Sequence, residues 1–152
     1  MRLGLISDTH GLLRPEALAA LAGSEAIVHA GDIGDAAILA RLAQIAPVTA
    51  VRGNNDFGPW ALQLRATAHL DAAGSTIHVL HDLALLAIDP AASGIAVVIA
   101  GHSHQPRIET RDGVLFVNPG SAGPRRFRLP ITVGRLDVTA NGVHAEIVTL
   151  MP

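Results

Sequence analysis

Apolar positions along this chain fall into runs that stop abruptly at polar residues. Arg2–Ser7 reads as a strand, and Pro15–Gly23 has helical spacing, with proline at a favourable first-turn position and Gly23 as a stop. Glu25–Ala30 is a second strand. Asp35–Ile45 is a second helix, with Asp35 placed to cap it, and Pro47–Arg52 is a third strand. This βαβαβ alternation predicts a parallel sheet. The pattern then changes. Arg65–Asp71 and Ser75–His81 are strands around Ala72-Ala73-Gly74, and Leu83–Ile88 reads as a short helix stopping before Pro90. Ile95–Ala100 is apolar without alternation, as in a strand buried on both faces. Arg107–Arg111, Val114–Asn118, Ile131–Val138 and Val143–Leu150 read as antiparallel hairpins around Asp112-Gly113 and Asn141-Gly142. No repeat or linker interrupts the chain. The expectation is one α/β domain over residues 1–152, with two sheets packed together and helices outside.

Five of the apolar runs end in groups that can ligate a metal. They are Ser7-Asp8-Thr9-His10-Gly11, Gly31-Asp32, Gly53-Asn54-Asn55-Asp56, His81-Asp82 and Gly101-His102-Ser103-His104. In open α/β sheets the carboxyl ends of the strands form the binding edge, so parallel strands would bring these exits together. Asp8, His10, Asp32, Asn54, His81, His102 and His104 would then converge. Seven mixed oxygen and nitrogen donors exceed what one ordinary ion needs and suit two ions sharing a carboxylate. Such donors favour Mn²⁺, Fe²⁺, Co²⁺, Ni²⁺ or Zn²⁺ over Mg²⁺ or Ca²⁺; manganese is our first expectation.

Composition narrows the chemistry further. The chain has no cysteine and no tyrosine, and all 11 of its basic residues are arginine. Disulfides, thiolate or lysine nucleophiles and tyrosine acids are therefore excluded. The formal charge of −2 argues against a general nucleic-acid binder. No apolar run is long enough to span a membrane, and the start of the chain has no secretory pattern, so a cytoplasmic location is expected. A mean hydropathy of +0.39 is compatible with a homo-oligomer.

The motifs DTH, GD, GNND, H and GHSH, in this order, resemble the calcineurin-like metallophosphoesterase superfamily. The later Asn118–Ser121 (NPGS) and the chain length resemble its small bacterial and archaeal branch, related to the retromer subunit of the same fold. The resemblance runs from Asp8 to Ser121. It implies a four-layered α/β/β/α sandwich and a dinuclear centre. One ion would be held by Asp8, His10, Asp32 and His104, the other by Asp32, Asn54, His81 and His102, with Asp32 bridging. Two positions depart from the wider pattern. Asn55 stands where many members have a histidine that protonates the leaving group, and Asp82 stands where glycine is usual.

The remaining polar residues have plainer readings. His29, His69, His78 and His144 lie within strand patterns and are read as structural. Asp56 is either a turn residue or a carboxylate orienting a ligand or water. Arg52 either pairs with Asp56 or holds substrate phosphate. Asn118–Ser121 reads as a turn supporting the histidine loop, and Arg125–Arg128 as a solvated basic loop.

The expected activity is hydrolysis of phosphodiesters or activated phosphomonoesters by a metal-activated water, with Asp32, Asn54 and His81 at the reacting centre. Without an acid at Asn55, leaving-group departure should limit turnover. The alternative is a non-catalytic protein-binding scaffold on the same fold. A nuclease would need a DNA-gripping surface.

Overall fold

Strand β1 (Arg2–Ile6) lies in the middle of a five-stranded sheet, paired in parallel with β2 (Ala26–His29), which pairs in parallel with β3 (Val48–Ala50). On its other side it meets β9 (Ile131–Thr139) and then β10 (Gly142–Met151), both antiparallel neighbours, so the sheet order is β10-β9-β1-β2-β3. The second sheet has the order β4-β5-β6-β8-β7, built from Thr67–Ala72, Ser75–Leu80, Ile95–Ile99, Val114–Asn118 and Arg107–Arg111 respectively. Within it β5, β6 and β8 run parallel, while β4 and β7 are antiparallel edges. This computed structural model describes residues 1–152.

The sheets pack face to face through Leu3, Leu5, Val28, Ile77, Val79, Val97, Ile99 and Leu136, all essentially inaccessible to water. Residues of alternate parity on β1 and β2, Ile6 and Ile27, turn outward and meet Leu21 of α1 (Pro15–Leu21) and Leu42 of α2 (Ala36–Ala43). Pro15 opens α1 where its missing N–H costs nothing, and Asp35 caps α2 by accepting the Ala37 N–H at 2.9 Å. The two mixed sheets and the outer helices form the expected α/β sandwich.

Three local differences have physical causes. Leu83–Ile88 forms only a single 3₁₀ turn, Leu83–Leu85, because Asp82 caps it and Asp89 starts a new turn by accepting the Ala92 N–H; the segment between is too short for a helix nucleus to propagate. The outer layer on the second sheet is therefore thin, with Leu83, Leu86 and Phe116 packing on Leu80, Val98 and Ala100. Pro59–Leu62, to which the apolar pattern assigns no element, forms a one-turn helix, α3, with proline in its first turn. The last hairpin turns over Ala140-Asn141, one residue earlier than expected, and Gly142 already pairs with Thr139.

Candidate metal centre

Five of the strands deliver polar residues to one edge of the sandwich. Asp8 and His10 follow β1, Asp32 follows β2, Asn54 follows β3, His81 follows β5, and His102 and His104 follow β6. Five of these seven side chains form two overlapping clusters, Asp8/His10/His104 and Asp8/Asp32/His81, each with its ligand atoms within 4.8 Å of one another. Asp8 Oδ1 faces His104 Nε2 at 3.4 Å, His10 Nε2 at 3.7 Å and His81 Nε2 at 3.9 Å. Asp32 Oδ2 lies between His81 Nε2 at 3.3 Å and His10 Nε2 at 3.6 Å. Asp8 thus faces both clusters, as Asp32 faces both His10 and His81. Asn54 and His102 form a more open pair at the edge, with His102 Nδ1 3.2 Å from Asn54 Oδ1 and the His102 ring 5.1 Å from that of His81.

The backbone is held in an unusual conformation at these positions. Asp8, His10, Asp32, His102 and His104 all have positive φ, between 46° and 71°. Only a few per cent of non-glycine residues adopt this region, and such strain concentrates at functional sites. The turns also require close approach. A Cβ at Gly101 would lie 2.0 Å from Ser7 Oγ and 2.6 Å from Asp8 Oδ2, and one at Gly53 would lie 2.1 Å from the Asp32 nitrogen. The strand exits can meet here only because those side chains are absent.

A set of buried hydrogen bonds fixes the donors. Ser7 donates to Asp8 Oδ2 at 2.6 Å, the His102 N–H reaches the same oxygen at 3.1 Å, and Ser121 donates to the Asp8 carbonyl at 3.0 Å. Asn118 donates to the Gly101 carbonyl and accepts the Gly120 N–H, so Asn118–Ser121 does support the histidine loop. Asp56 accepts the Gly53 N–H at 2.8 Å and the Gly34 N–H at 3.0 Å, which ties the third strand exit to the second. Its carboxylate orients backbone and forms no ion pair with Arg52. Arg52 instead lines a small cavity of about 280 Å³ together with Asn54, Thr67, His81 and Leu85.

Three contributions, from Asn55, His29 and Thr9, were not foreseen. Asn55 clamps Asp32, donating its backbone N–H to Oδ1 at 2.8 Å and its side-chain amide to Oδ2 at 3.1 Å. His29, fully buried, accepts the Gly31 N–H at Nδ1, so its proton is on Nε2 and points to Thr9 Oγ1 at 3.0 Å; Thr9 in turn donates to the Ile33 carbonyl. This relay locks the first strand exit to the second. The only sequence signal for it is the placement of His29 two residues before Gly31.

Charge explains what the cluster lacks. His81 Nδ1 is 2.7 Å from the Ala30 carbonyl, which can only accept, so Nδ1 carries a proton and Nε2 turns a lone pair toward Asp32 and Asp8. A lone pair facing two carboxylates is repulsive unless a cation lies between them. Asp8 Oδ1, His10 Nε2 and His81 Nε2 are all buried without a hydrogen-bond partner. The gaps between them are too long for hydrogen bonds and suit an ion bonded to each donor at about 2.0–2.2 Å. Without an ion, a proton takes that place. Burial lowers the affinity of His81 for a proton, but Asp32, the Ala30 carbonyl and Asp8 outweigh it and raise its pKa. Burial likewise opposes ionisation of Asp8, yet His10, His104, Ser7 and His81 hold its carboxyl far below the usual carboxylate range. Asp32 is lowered too, by His81 and the Asn55 N–H against the cost of burial. The donor set therefore fits divalent cations.

A family model described as the calcineurin-like phosphoesterase superfamily domain matches residues 1–141. The chain belongs to this superfamily. Two archaeal proteins, each described as a "Probable metallophosphoesterase", are similar to this calcineurin-like chain. That of Methanothermobacter thermautotrophicus is 32% identical, over 97% of this chain and 92% of the relative. That of Methanocaldococcus jannaschii is 34% identical, over 80% of this chain and 68% of the relative. An archaeal phosphodiesterase shares the fold with a TM-score of 0.81 at 23% identity, covering 97% of this chain and all of the other. Vps29 of Chaetomium thermophilum does so with a TM-score of 0.79 at 21% identity, covering 99% and 98%. The calcineurin-like phosphoesterase assignment implies divalent metal ions, and no helix of this chain is long and apolar enough to cross a membrane.

The basic loop lies on the same edge of this calcineurin-like fold. Gly123 packs against the Asp8 and Thr9 carbonyls, and the exposed Arg125, Arg126 and Arg128 beyond it have no acidic partner.

Proposed function

We propose that this chain hydrolyses phosphodiesters and phosphomonoesters with good leaving groups at a two-ion centre. Asp8, His10, Asp32 and His104 would hold one ion; Asp32, Asn54, His81 and His102 would hold the other. The observation that carries this reading is the pair of overlapping buried donor clusters with unpartnered nitrogens and oxygen aimed at common points. Bound cations there supply Lewis acidity to a phosphoryl group and activate a water for in-line attack. Mixed imidazole and carboxylate donors suit Mn²⁺, with Fe²⁺, Co²⁺, Ni²⁺ and Zn²⁺ as substitutes.

The remaining roles belong to the chain's own side chains. Asn54 offers an amide N–H to a phosphoryl oxygen. The Arg52 guanidinium, with no acidic partner and in the same small cavity as Asn54 and His81, neutralises a second oxygen. Asn55 stabilises the ionised form of Asp32 and has no proton to give a departing alkoxide. The reaction therefore relies on leaving groups that depart as anions, such as aryl oxides.

A scaffold role is the second reading, favoured by Phe57, Leu62 and Leu85, each about three quarters exposed, with Leu85 at the rim of the Arg52 cavity. Release of 4-nitrophenolate from bis(4-nitrophenyl) phosphate with added Mn²⁺ decides between them. Hydrolysis abolished by chelator and by Asp32→Asn supports the enzyme. No turnover with any of the five ions supports the scaffold.

A further inference from the structure

The thin outer layer on the second sheet leaves a cavity of about 630 Å³ over Val98, Ala100 and Phe116. The 3₁₀ turn at Leu83 walls one side, and the mouth opens beside His102 and Asp82, at the exposed end of the metal centre. The opposite wall is charged. Arg107 and Arg111 of β7 both pair with Glu109, at 2.8 Å and 2.9 Å. Two guanidiniums on one carboxylate leave a net positive charge and N–H groups to spare. The Arg111 guanidinium carbon lies over the Phe116 ring of the apolar floor, 4.6 Å from its centre.

We propose that this groove is the subsite for the organic substituent of the ester, and that it takes a flat aryl group ending in a carboxylate or similar anionic acceptor. The assignment rests on the phosphoesterase reading and specifies its substrate class. Three features carry it. The volume is that of a site for one small organic molecule. The apolar floor faces a wall whose two guanidiniums outnumber its one carboxylate, while the only other carboxylate of the lining, Asp82, sits at the mouth; this matches an aromatic body with its anionic end at the arginines. The mouth shares His102 with the metal centre, so a phosphoryl group held there has the groove directly beside it.

The test uses two diesters with the same 4-nitrophenolate leaving group, whose retained substituent is either methyl or 4-carboxybenzyl. The kcat/KM ratio should favour the carboxybenzyl ester by about tenfold or more. Arg111→Ala, on an exposed edge strand, and Phe116→Leu should each bring the ratio toward one. A second measurement needs no metal: 4-(hydroxymethyl)benzoate titrated into the chain should shift the methyl resonances of Leu83, Val98 and Ala100 saturably. A ratio near one in the unaltered chain, or no shift at those methyls, overturns the groove assignment while leaving the hydrolase standing. Binding in the groove with no hydrolysis of either ester supports the subsite and overturns the hydrolase.

Discussion

Asn55 shows how a residue can be read correctly for what it lacks and misread for what it does. An amide at this position supplies no proton, but its two hydrogen bonds to Asp32 give it a structural task. Asn55→His keeps the backbone bond to Asp32 Oδ1 but removes the side-chain bond to Oδ2, and should lower turnover on aryl diesters several-fold, even if it improves alkyl esters relative to aryl ones. Steady-state rates on matched aryl and alkyl esters check both parts, and an unchanged aryl rate would contradict the clamp. Gly101 makes a sharper case. Gly101→Ala forces a methyl into Ser7 Oγ and Asp8 Oδ2, and should cost about 1–3 kcal/mol of stability as well as metal affinity. Chemical denaturation and a Mn²⁺ titration read the two effects separately. The five clustered side chains, Asp8, His10, Asp32, His81 and His104, were legible because each follows an apolar run beside glycine or another polar group. Asn55, Thr9 and His29 were not, because a residue that supports a ligand through one hydrogen bond leaves no spacing signature.

At the scale of elements, the strands and the two longer helices followed from periodicity and caps. The segment after Asp82 did not, because apolar content alone cannot separate a 3₁₀ turn from a helix when the run is this short. Strand β2 carries the clearest consequence for pH. Burial pushes the pKa of His29 from 6.5 to about 3, so the unfolded chain binds a proton that the folded chain refuses. The contribution of His29 to the stability of the metal-free chain should thus be full above about pH 6.5 and fall as pH drops, by about 1.4 kcal/mol per unit at most. His78, also lowered by burial and by His69, adds in the same direction. His81 acts oppositely: its raised pKa gives stability that is present below 6.5 and lost as pH rises through the folded value. Asp8 and Asp32 add a contribution that is present above 3.8 and disappears in stronger acid. The metal-free optimum should lie near pH 6.5. Urea unfolding from pH 4 to 8 measures it, and His29→Asn should flatten the acid side; an unchanged slope in that variant would contradict the assignment.

For the whole molecule, the two sheets meet at an edge crowded with carboxylates and imidazoles, where Asp8 Oδ1, His10 Nε2 and His81 Nε2 are buried without a hydrogen-bond partner. Such an edge is destabilising without a cation, so ion binding should stabilise the entire fold. At a hundredfold excess over Kd, one site adds about 2.7 kcal/mol, which raises Tm by roughly 5–10 °C for a chain of this size. Thermal melts with and without Mn²⁺ should show that rise in the native chain and a much smaller one in Asp32→Asn. Equal shifts in both would place the ion elsewhere. The sequence motifs point to this edge on their own, since parallel strands leave few other places for their exits to go. The groove over Phe116 could not be anticipated, because it arises from a layer of helix that fails to form.

The most direct measurement is anomalous diffraction from crystals of this chain grown with manganese. Two peaks per chain are predicted, one among Asp8, His10, Asp32 and His104 and the other among Asp32, Asn54, His81 and His102. A single peak, a peak outside these residues, or none at saturating manganese would contradict the two-ion centre.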